Sequence, residues 1–160
     1  MSKVFNQIKT LLLENNIEFE EIHHEPTPTS EDSARIRGDT LSQGAKAILY
    51  KVQDDFALFV FAANKRMNPK LIRQFFKSKG RKAKKTRFAS PDELMDMTGL
   101  IPGSVPPFGK PILDFELFVD PSLMENEMIA FNAGSITDSI KMSLADYCSV
   151  ANPEIFLFCE

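Results

Sequence analysis

The sequence predicts a mixed α/β (α+β) fold: a single domain over residues 1–160, with a central mixed, partly antiparallel sheet and flanking helices. Three observations carry this expectation. Apolar residues recur at helical spacing in some segments and alternate or run continuously in others, so both element types are present. Helices and strands interleave without strict βαβ repetition. Two strand-like segments are joined by a short polar turn, which demands at least one antiparallel pair. With 43% hydrophobic residues, the 160-residue chain can bury a core without staples.

Val4, Ile8, Leu11 and Leu12 predict a helix over 3–15 that ends at Asn15-Asn16. Ile17 to Ile22 alternates apolar with acidic residues and reads as a strand with one wet face. A turn-rich stretch, His23 to Thr29, leads to a helix expected to be capped by Ser30 and stopped by Gly38. Ala45–Val52 and Phe56–Ala63 read as a hairpin across Gln53-Asp54-Asp55, the second strand apolar on both faces and so central. Asn68-Pro69 opens a helix through Lys77, and Ser90-Pro91 opens another that Gly99 closes. After a Pro/Gly loop, Ile101–Gly109, strands are expected over Ile112–Val119, Met128–Asn132 and Asp138–Met142. Ser143 caps a short helix, and Ile155–Phe158 is a final strand.

Charge is distributed unevenly. Eleven Lys or Arg and no acid lie between Lys65 and Arg87, so a net charge of −3 leaves −14 on the rest. A one-sign patch on an acidic body attracts a polyanion, which points to nucleic acid more than to a merely solvated face. No 18-residue apolar run occurs, and the N-terminal segment is amphipathic, so neither a membrane span nor a signal peptide is expected. Cys148 and Cys159 have no CxxC spacing, which fits a cytoplasmic chain with neither a disulfide framework nor a zinc site. No HExxH, GxSxG, GxxxxGK[ST] or GxGxxG pattern is present; neither a metal nor a cofactor is expected.

Three segments can carry chemistry. Lys46 shares a strand face with Ile48, Tyr50 and Val52, where it either snorkels or stands as a cation at a pocket mouth. The Gly103–Gly109 loop is either a connection or a stiffened run of backbone donors. Asn132 to Ser139, with Gly134, Ser135 and Asp138, is either a polar hairpin turn or a set of groups converging at a strand end.

Taken in order, His24-Glu25-Pro26, Thr29-Ser30-Glu31, Ala34-Arg35-x-Arg37-Gly38 and Gly44-Ala45-Lys46-Ala47 resemble the front half of the YbaK-type editing domains. Phe61-Ala62-Ala63-Asn64, Ala89 to Leu94, Thr98-Gly99-x-x-Pro102-Gly103-x-Val105-Pro106-Pro107-Phe108-Gly109, Asn126 to Ser135 and Ser139 to Ser143 continue the resemblance over about residues 20 to 150. It implies a YbaK-like deacylase that clears mischarged aminoacyl-tRNA, most familiarly tRNA for proline. Lys46 then falls on the family's essential lysine, and Gly103 and Pro106 on its pocket loop, with Phe108 beside them. His24, Thr29, Asn64, Asn132, Gly134, Ser135 and Asp138 fall on the substrate side. Where the family often has His, this chain has Asp138.

An aminoacyl ester is already activated, so positioning a water and stabilising an oxyanion suffice. Lys46 is expected on the terminal phosphate or ribose side and N–H groups near Gly103 on the carbonyl oxygen. The water is oriented by backbone or by the substrate's 2′-hydroxyl. Lys65, Arg66, Lys70, Arg73 and Lys77 are expected against the acceptor stem. The partners implied are aminoacyl-tRNA and, through the family's association, prolyl-tRNA synthetase. Two other readings compete: a non-catalytic RNA-binding module on the same fold, and a small-molecule binding domain.

Overall fold

A computed structural model describes residues 2–27 and 29–160; Pro28, within the turn-rich stretch, lies outside the described residues. Helix α1 (Lys3–Glu14) buries Phe5, Ile8 and Leu12, which fall on one face at helical spacing. Strand β1 is Phe19–His23, not Ile17–Ile22, because the Ile17 N–H is spent on the Leu12 carbonyl closing α1. Helix α2 (Ser30–Arg37) is capped by Thr29 rather than Ser30: the extended Thr29 accepts the Asp32 N–H at 3.1 Å. A 3-10 turn, Leu41–Gln43, then delivers the chain to β2 (Ala45–Val52). The hairpin to β3 (Asp55–Ala62) turns on Gln53-Asp54 alone, since Asp55 already pairs with Val52.

Helix α3 (Pro69–Ser78) buries Ile72 and Phe76. It is followed by β4 (Thr86–Phe88), a strand that the sequence pattern does not predict. This three-residue strand lies on the sheet edge against Tyr50–Val52 and is largely exposed, so it carries no apolar alternation. Helix α4 (Pro91–Thr98) has a reciprocal Ser90–Glu93 capping box. Of the expected strand Ile112–Val119, only Leu117–Val119 forms β5. Residues 109–115 are consumed by short turns, in which the Ile112 and Leu113 N–H groups both return to the Gly109 carbonyl. After a second 3-10 turn, Pro121–Glu125, come β6 (Met128–Asn132), β7 (Asp138–Ser143), α5 (Leu144–Ala151) and β8 (Glu154–Ile155). The expected strand Ile155–Phe158 shortens to this β8, and Phe156 and Phe158 leave the ladder to fill an aromatic cluster.

The mixed α/β class is the one predicted, but the strands form two sheets rather than one. β1-β7-β6 is antiparallel, and β4-β2-β3-β5-β8 is mixed, with β3–β5 and β5–β8 parallel. A single parallel bridge, Gly44 to Ala130, joins them. A Cβ on Gly44 would stand 3.2 Å from the Ala63 Cβ and 3.3 Å from the Leu41 carbonyl, so a side chain there would crowd the start of β2 against the end of β3.

β3 is central, as its two-sided apolar pattern predicts. Leu58 and Val60 face α1 and the three-stranded sheet, while Phe59 and Phe61 face α3 and the C-terminal Phe156 and Phe158. Phe59 stacks on Phe118 at 5.2 Å and Phe75 on Phe156 at 3.7 Å. Asp120, buried just after β5, ties this tail down: its Oδ1 accepts the Phe158 and Cys159 N–H groups at 2.8 and 3.0 Å, and its Oδ2 accepts that of Ser122.

Asp120→Ala leaves these donors unanswered, and each buried orphan costs about 1–3 kcal/mol. A loss of about 3 kcal/mol or more is expected in denaturant unfolding; a change under about 1 kcal/mol would show that the tail is held by its aromatic packing alone.

Candidate active site

A cavity of about 490 Å³ opens where the two sheets meet. Its walls come from four places: the first turn of α2 with Arg37 at that helix's end, Gly44 to Ile48 at the start of β2, the Pro102-Gly103-Val105 loop, and Ala130 to Asn132 of β6. The volume falls in the range that holds a drug-sized ligand. Small apolar groups (Ala45, Ala47, Ala63, Ala130) make much of the lining, with the hydroxyls of Thr27 and Ser33 among them.

Lys46 is the second residue of β2, paired in register with Phe61. It is exposed at the cavity and makes no ion pair among the described residues. Across from it, Ile101 to Ser104 forms a tight turn closed by the Ser104 N–H on the Ile101 carbonyl at 3.1 Å. Pro102 takes the second place of the turn and Gly103 the third, at φ +88°, the left-handed value a type II turn requires there. Asn132 then fixes the turn from β6, its Nδ2 donating to the Gly103 carbonyl at 2.8 Å.

Of the residues singled out from sequence, Lys46, Thr29, Gly103 and Asn132 line this cavity. The others do not. Phe108 is buried in the core against Phe131 and Tyr147, and Pro106 is buried beside it. Asn64 is exposed in the turn after β3. Gly134, at φ +89°, packs its backbone against Ser2 and Val4. His24 sits one step behind the cavity, with Nε2 2.8 Å from the Ser139 hydroxyl and Nδ1 2.7 Å from the Glu25 carbonyl. Ser135 and Asp138 belong to a separate cluster, in which Asp138 takes His23 Nδ1 at 2.6 Å and the Ser135 hydroxyl at 2.6 Å.

Arg37 is one of the cavity residues to which the sequence alone assigns no role, as are Thr27, Glu31 and Ser33. It sits inside a motif, but nothing in its spacing shows that a helix-ending arginine turns inward. Cys148 is half-buried and its thiol is pushed up by burial, which suits a small core residue and not a nucleophile.

In the basic segment, Lys65, Arg66, Lys70 and Lys77 are exposed and Arg73 is half-buried. Lys65 and Arg66 follow directly on Asn64 from Ala63, which lines the cavity, so the segment begins at the cavity rim. Arg81 and Arg87 are drawn instead into bidentate pairs with Glu116 and Glu93.

A lysine and a proline–glycine turn facing one cavity, beside a basic rim, is the arrangement expected of an editing domain. The profile of the aminoacyl-tRNA editing domain family matches residues 24–149. The chain is 33% identical over 163 residues to the multifunctional Ser/Thr-tRNA deacylase ProXp-y of Escherichia coli K12, which covers 98% of this chain and 93% of that one. It is 30% identical over 116 residues to the uncharacterized YwhH of Bacillus subtilis 168, covering 72% and 69%. Two solved structures share the fold. The hypothetical protein APE2540 superposes with a TM-score of 0.82 at 18% identity, covering 96% of this chain and 99% of that one. A candidate trans-editing enzyme for prolyl-tRNA synthetase gives 0.80 at 17%, covering 100% and 99%. The chain belongs to the aminoacyl-tRNA editing domain family and is a hydrolase of the aminoacyl-tRNA ester. The non-catalytic reading is accordingly not favoured.

The Asp138 cluster lends stability a pH signature. Burial pushes the Asp138 carboxyl up, but its bonds to Ser135, His23 and Thr137 together outweigh this and hold it below the usual carboxylate range. Its contribution is therefore complete above the unfolded value near ~4 and is lost as pH falls through the lower folded value. Asp138→Asn is expected to flatten the fall of the denaturant midpoint between about pH 4 and pH 2. Parallel profiles for the two proteins would rule the cluster out as the source.

Proposed function

We propose that residues 1–160 act as one editing unit that hydrolyses mischarged aminoacyl-tRNA in trans, tRNA for proline first among its substrates, in the cytoplasm. Among the described residues no helix is long and apolar enough to cross a membrane. The observation that carries the reading is Lys46: a cation without an ionic partner among the described residues, held at the cavity beside the Pro102-Gly103 turn. Its ammonium grips the terminal phosphate or ribose of the tRNA. The backbone of the Gly103 turn faces the ester carbonyl and stabilises the oxyanion that forms on attack.

An activated ester needs no covalent nucleophile here. Water attacks the carbonyl carbon, the bond to the ribose oxygen breaks, and the proton passes to that oxygen, releasing amino acid and tRNA. The substrate's own 2′-hydroxyl or the turn's backbone orients the water. The small alanine-rich lining suits a small amino acid, and the hydroxyls of Thr27 and Ser33 offer partners to a polar one. That supports serine and threonine esters, the chemistry named for the Escherichia coli relative. Lys65, Arg66, Lys70, Arg73 and Lys77 extend from the rim along α3 and meet the acceptor-stem phosphates. Prolyl-tRNA synthetase is the partner whose errors such an enzyme clears, and it supplies the charged tRNA.

Lys46→Ala is expected to lower single-turnover deacylation of seryl- and threonyl-tRNA by ten-fold or more while the melting temperature stays within a few degrees. Retention of more than about a tenth of the rate, a loss below ~1.4 kcal/mol, would remove Lys46 from the reaction.

Neutralising Lys70, Arg73 and Lys77 together is expected to flatten the slope of log affinity against log salt by about two to three units, slightly less than one for each phosphate left unneutralised. An unchanged slope would place the tRNA on another face.

A further inference from the structure

Arg37 is more deeply buried than its surroundings require. Its side chain is 3% exposed at the end of α2, and that of its acidic neighbour Asp39 is 2% exposed. Lys141 takes the other Asp39 oxygen at 2.5 Å. The Arg37–Asp39 pair itself is loose: Nε stands 3.4 Å from Oδ2, and neither atom has a hydrogen-bond partner among the described residues. A buried ion pair with orphaned atoms is a poor source of stability, and an apolar side chain of similar volume serves packing as well. Among the described residues, the one good hydrogen bond Arg37 makes runs elsewhere, from Nη1 to the Ser139 hydroxyl at 3.0 Å.

That bond begins a directed chain. A guanidinium only donates, so the Ser139 oxygen accepts from it and must send its single proton onward. Ser139 is fully buried on β7 and stands opposite Asn132 in the β6–β7 register. It donates to Asn132 Oδ1 at 3.1 Å. With Oδ1 so occupied, the amide can present only its NH₂ end to the turn, and Nδ2 donates to the Gly103 carbonyl at 2.8 Å and toward Thr27 Oγ1 at 3.4 Å. Each donor points the same way, so the bonds polarise one another in a buried, low-dielectric setting. His24 Nε2 also lies 2.8 Å from the Ser139 oxygen, and its Nδ1 donates to the Glu25 carbonyl, which can only accept. With a hydrogen on Nε2 as well, the ring donates to the Ser139 oxygen, and the Ser139 proton goes to Asn132.

We propose that Arg37 is a positioning residue for ester hydrolysis, acting through Ser139 and Asn132 to hold the Pro102-Gly103 turn against the substrate carbonyl. This rests on the editing reading above. The Arg37–Ser139–Asn132–Gly103 relay joins α2, the β6–β7 hairpin and the turn, three parts of the chain distant in sequence, at the Gly103 carbonyl. Lys46 takes no part in it, so the cavity's two cations divide their work: the exposed one meets the substrate, and the buried one sets the backbone that meets it.

The test uses Arg37→Met, Ser139→Ala, Asn132→Ala and the Ser139→Ala/Asn132→Ala double variant of the full chain. Ser139→Ala leaves the Arg37–Asp39–Lys141 charges in place, so it keeps the relay testable should Arg37→Met fail to fold. Each single variant is expected to lose about 10- to 100-fold in single-turnover rate at saturating enzyme, with the apparent affinity for charged tRNA within about threefold. The double variant is expected to be no slower than Asn132→Ala alone, as members of one chain are non-additive. A Ser139→Ala rate within twofold of wild type, or additive losses in the double variant, overturns the proposal. A second readout is independent of turnover: Ser139→Ala and any folded Arg37 variant are expected to shift the NMR signals of the Asn132 side-chain amide and the Gly103 N–H. Unmoved signals overturn the relay. Wild-type protein inert toward every mischarged tRNA would instead defeat the editing reading, and the amide signals would still decide the relay.

Discussion

Everything at the cavity depends on the contact between Gly44 and Ala130, where two sheets that pair with each other nowhere else as named strands come within one hydrogen-bonded bridge. Sheets packed face to face stand about 10 Å apart. Here they converge at one edge, and a side chain on Gly44 would have to displace Ala63, whose Cβ would lie 3.2 Å from the added carbon. Beyond the bridge they splay, and the space between them is the cavity. Such a seam exposes backbone and side-chain polar groups to an interior without enough ladder partners, and buried polar groups must find others. Five of the six buried polar residues, Thr27, Ser33, Ser104, Asp138 and Ser139, lie on the cavity wall or on the elements beside it. Thr27, Ser104, Asp138 and Ser139 bond to neighbouring backbone and side chains, among them Ile136, Ile101, His23 and Asn132, and these bonds tie the elements around the seam together.

The surface charges follow a parallel division. Within the acid-free segment, Arg81 lies over Phe76 at 4.6 Å and pairs with Glu116, while Arg87 pairs with Glu93 and joins it to the capping box of α4. Glu93 is consequently held down to about 2, chiefly by its bond to Arg87 and then by the Ser90 N–H. These arginines secure the edge strand β4 and the base of α4. Among the described residues the lysines of α3 and the residues just before it make no such pair, so no acid neutralises their charge. The run of eleven like charges therefore divides by which side chains find a carboxylate on another element.

Much of the fold was legible because local chemistry agreed with tertiary placement. β2 and β6 have the predicted bounds, and the helices begin and end at or within a residue of the predicted Ser, Pro, Asn and Gly signals. What was not legible is non-local. The division into two sheets turns on β1 pairing with β7 across more than a hundred residues, and hydrophobic alternation does not report a strand's partner. β4 is a three-residue exposed edge, Thr86-Arg87-Phe88, too short to carry a pattern. The site was legible where a residue type is odd for its place, as for Lys46 on an apolar strand face or Pro-Gly in a long loop. Of the polar cluster near a strand end, which read either as a turn or as a site, Asn132 lines the cavity, while Ser135 bonds to Asp138 and Asp138 to His23. Arg37 was invisible, since a helix ending in Arg-Gly ordinarily points its charge to water.

The turning away of Asp138 bears on how the reaction handles protons. The chain's two histidines, His23 and His24, precede α2. Both imidazoles are committed outside the cavity, His23 to Asp138 and His24 to Ser139 and Glu25. The ionisable groups lining the cavity are Glu31, Arg37 and Lys46. Two are cations, which donate hydrogen bonds and accept none, and the third is a carboxylate at the exposed first turn of α2. A cavity so furnished favours a developing oxyanion and a phosphate over the abstraction of a proton from water by an imidazole. The hydrolysis proposed for it leans on geometry, on the Gly103 peptide held by Asn132 and on Lys46 at the rim, and an activated ester requires no more.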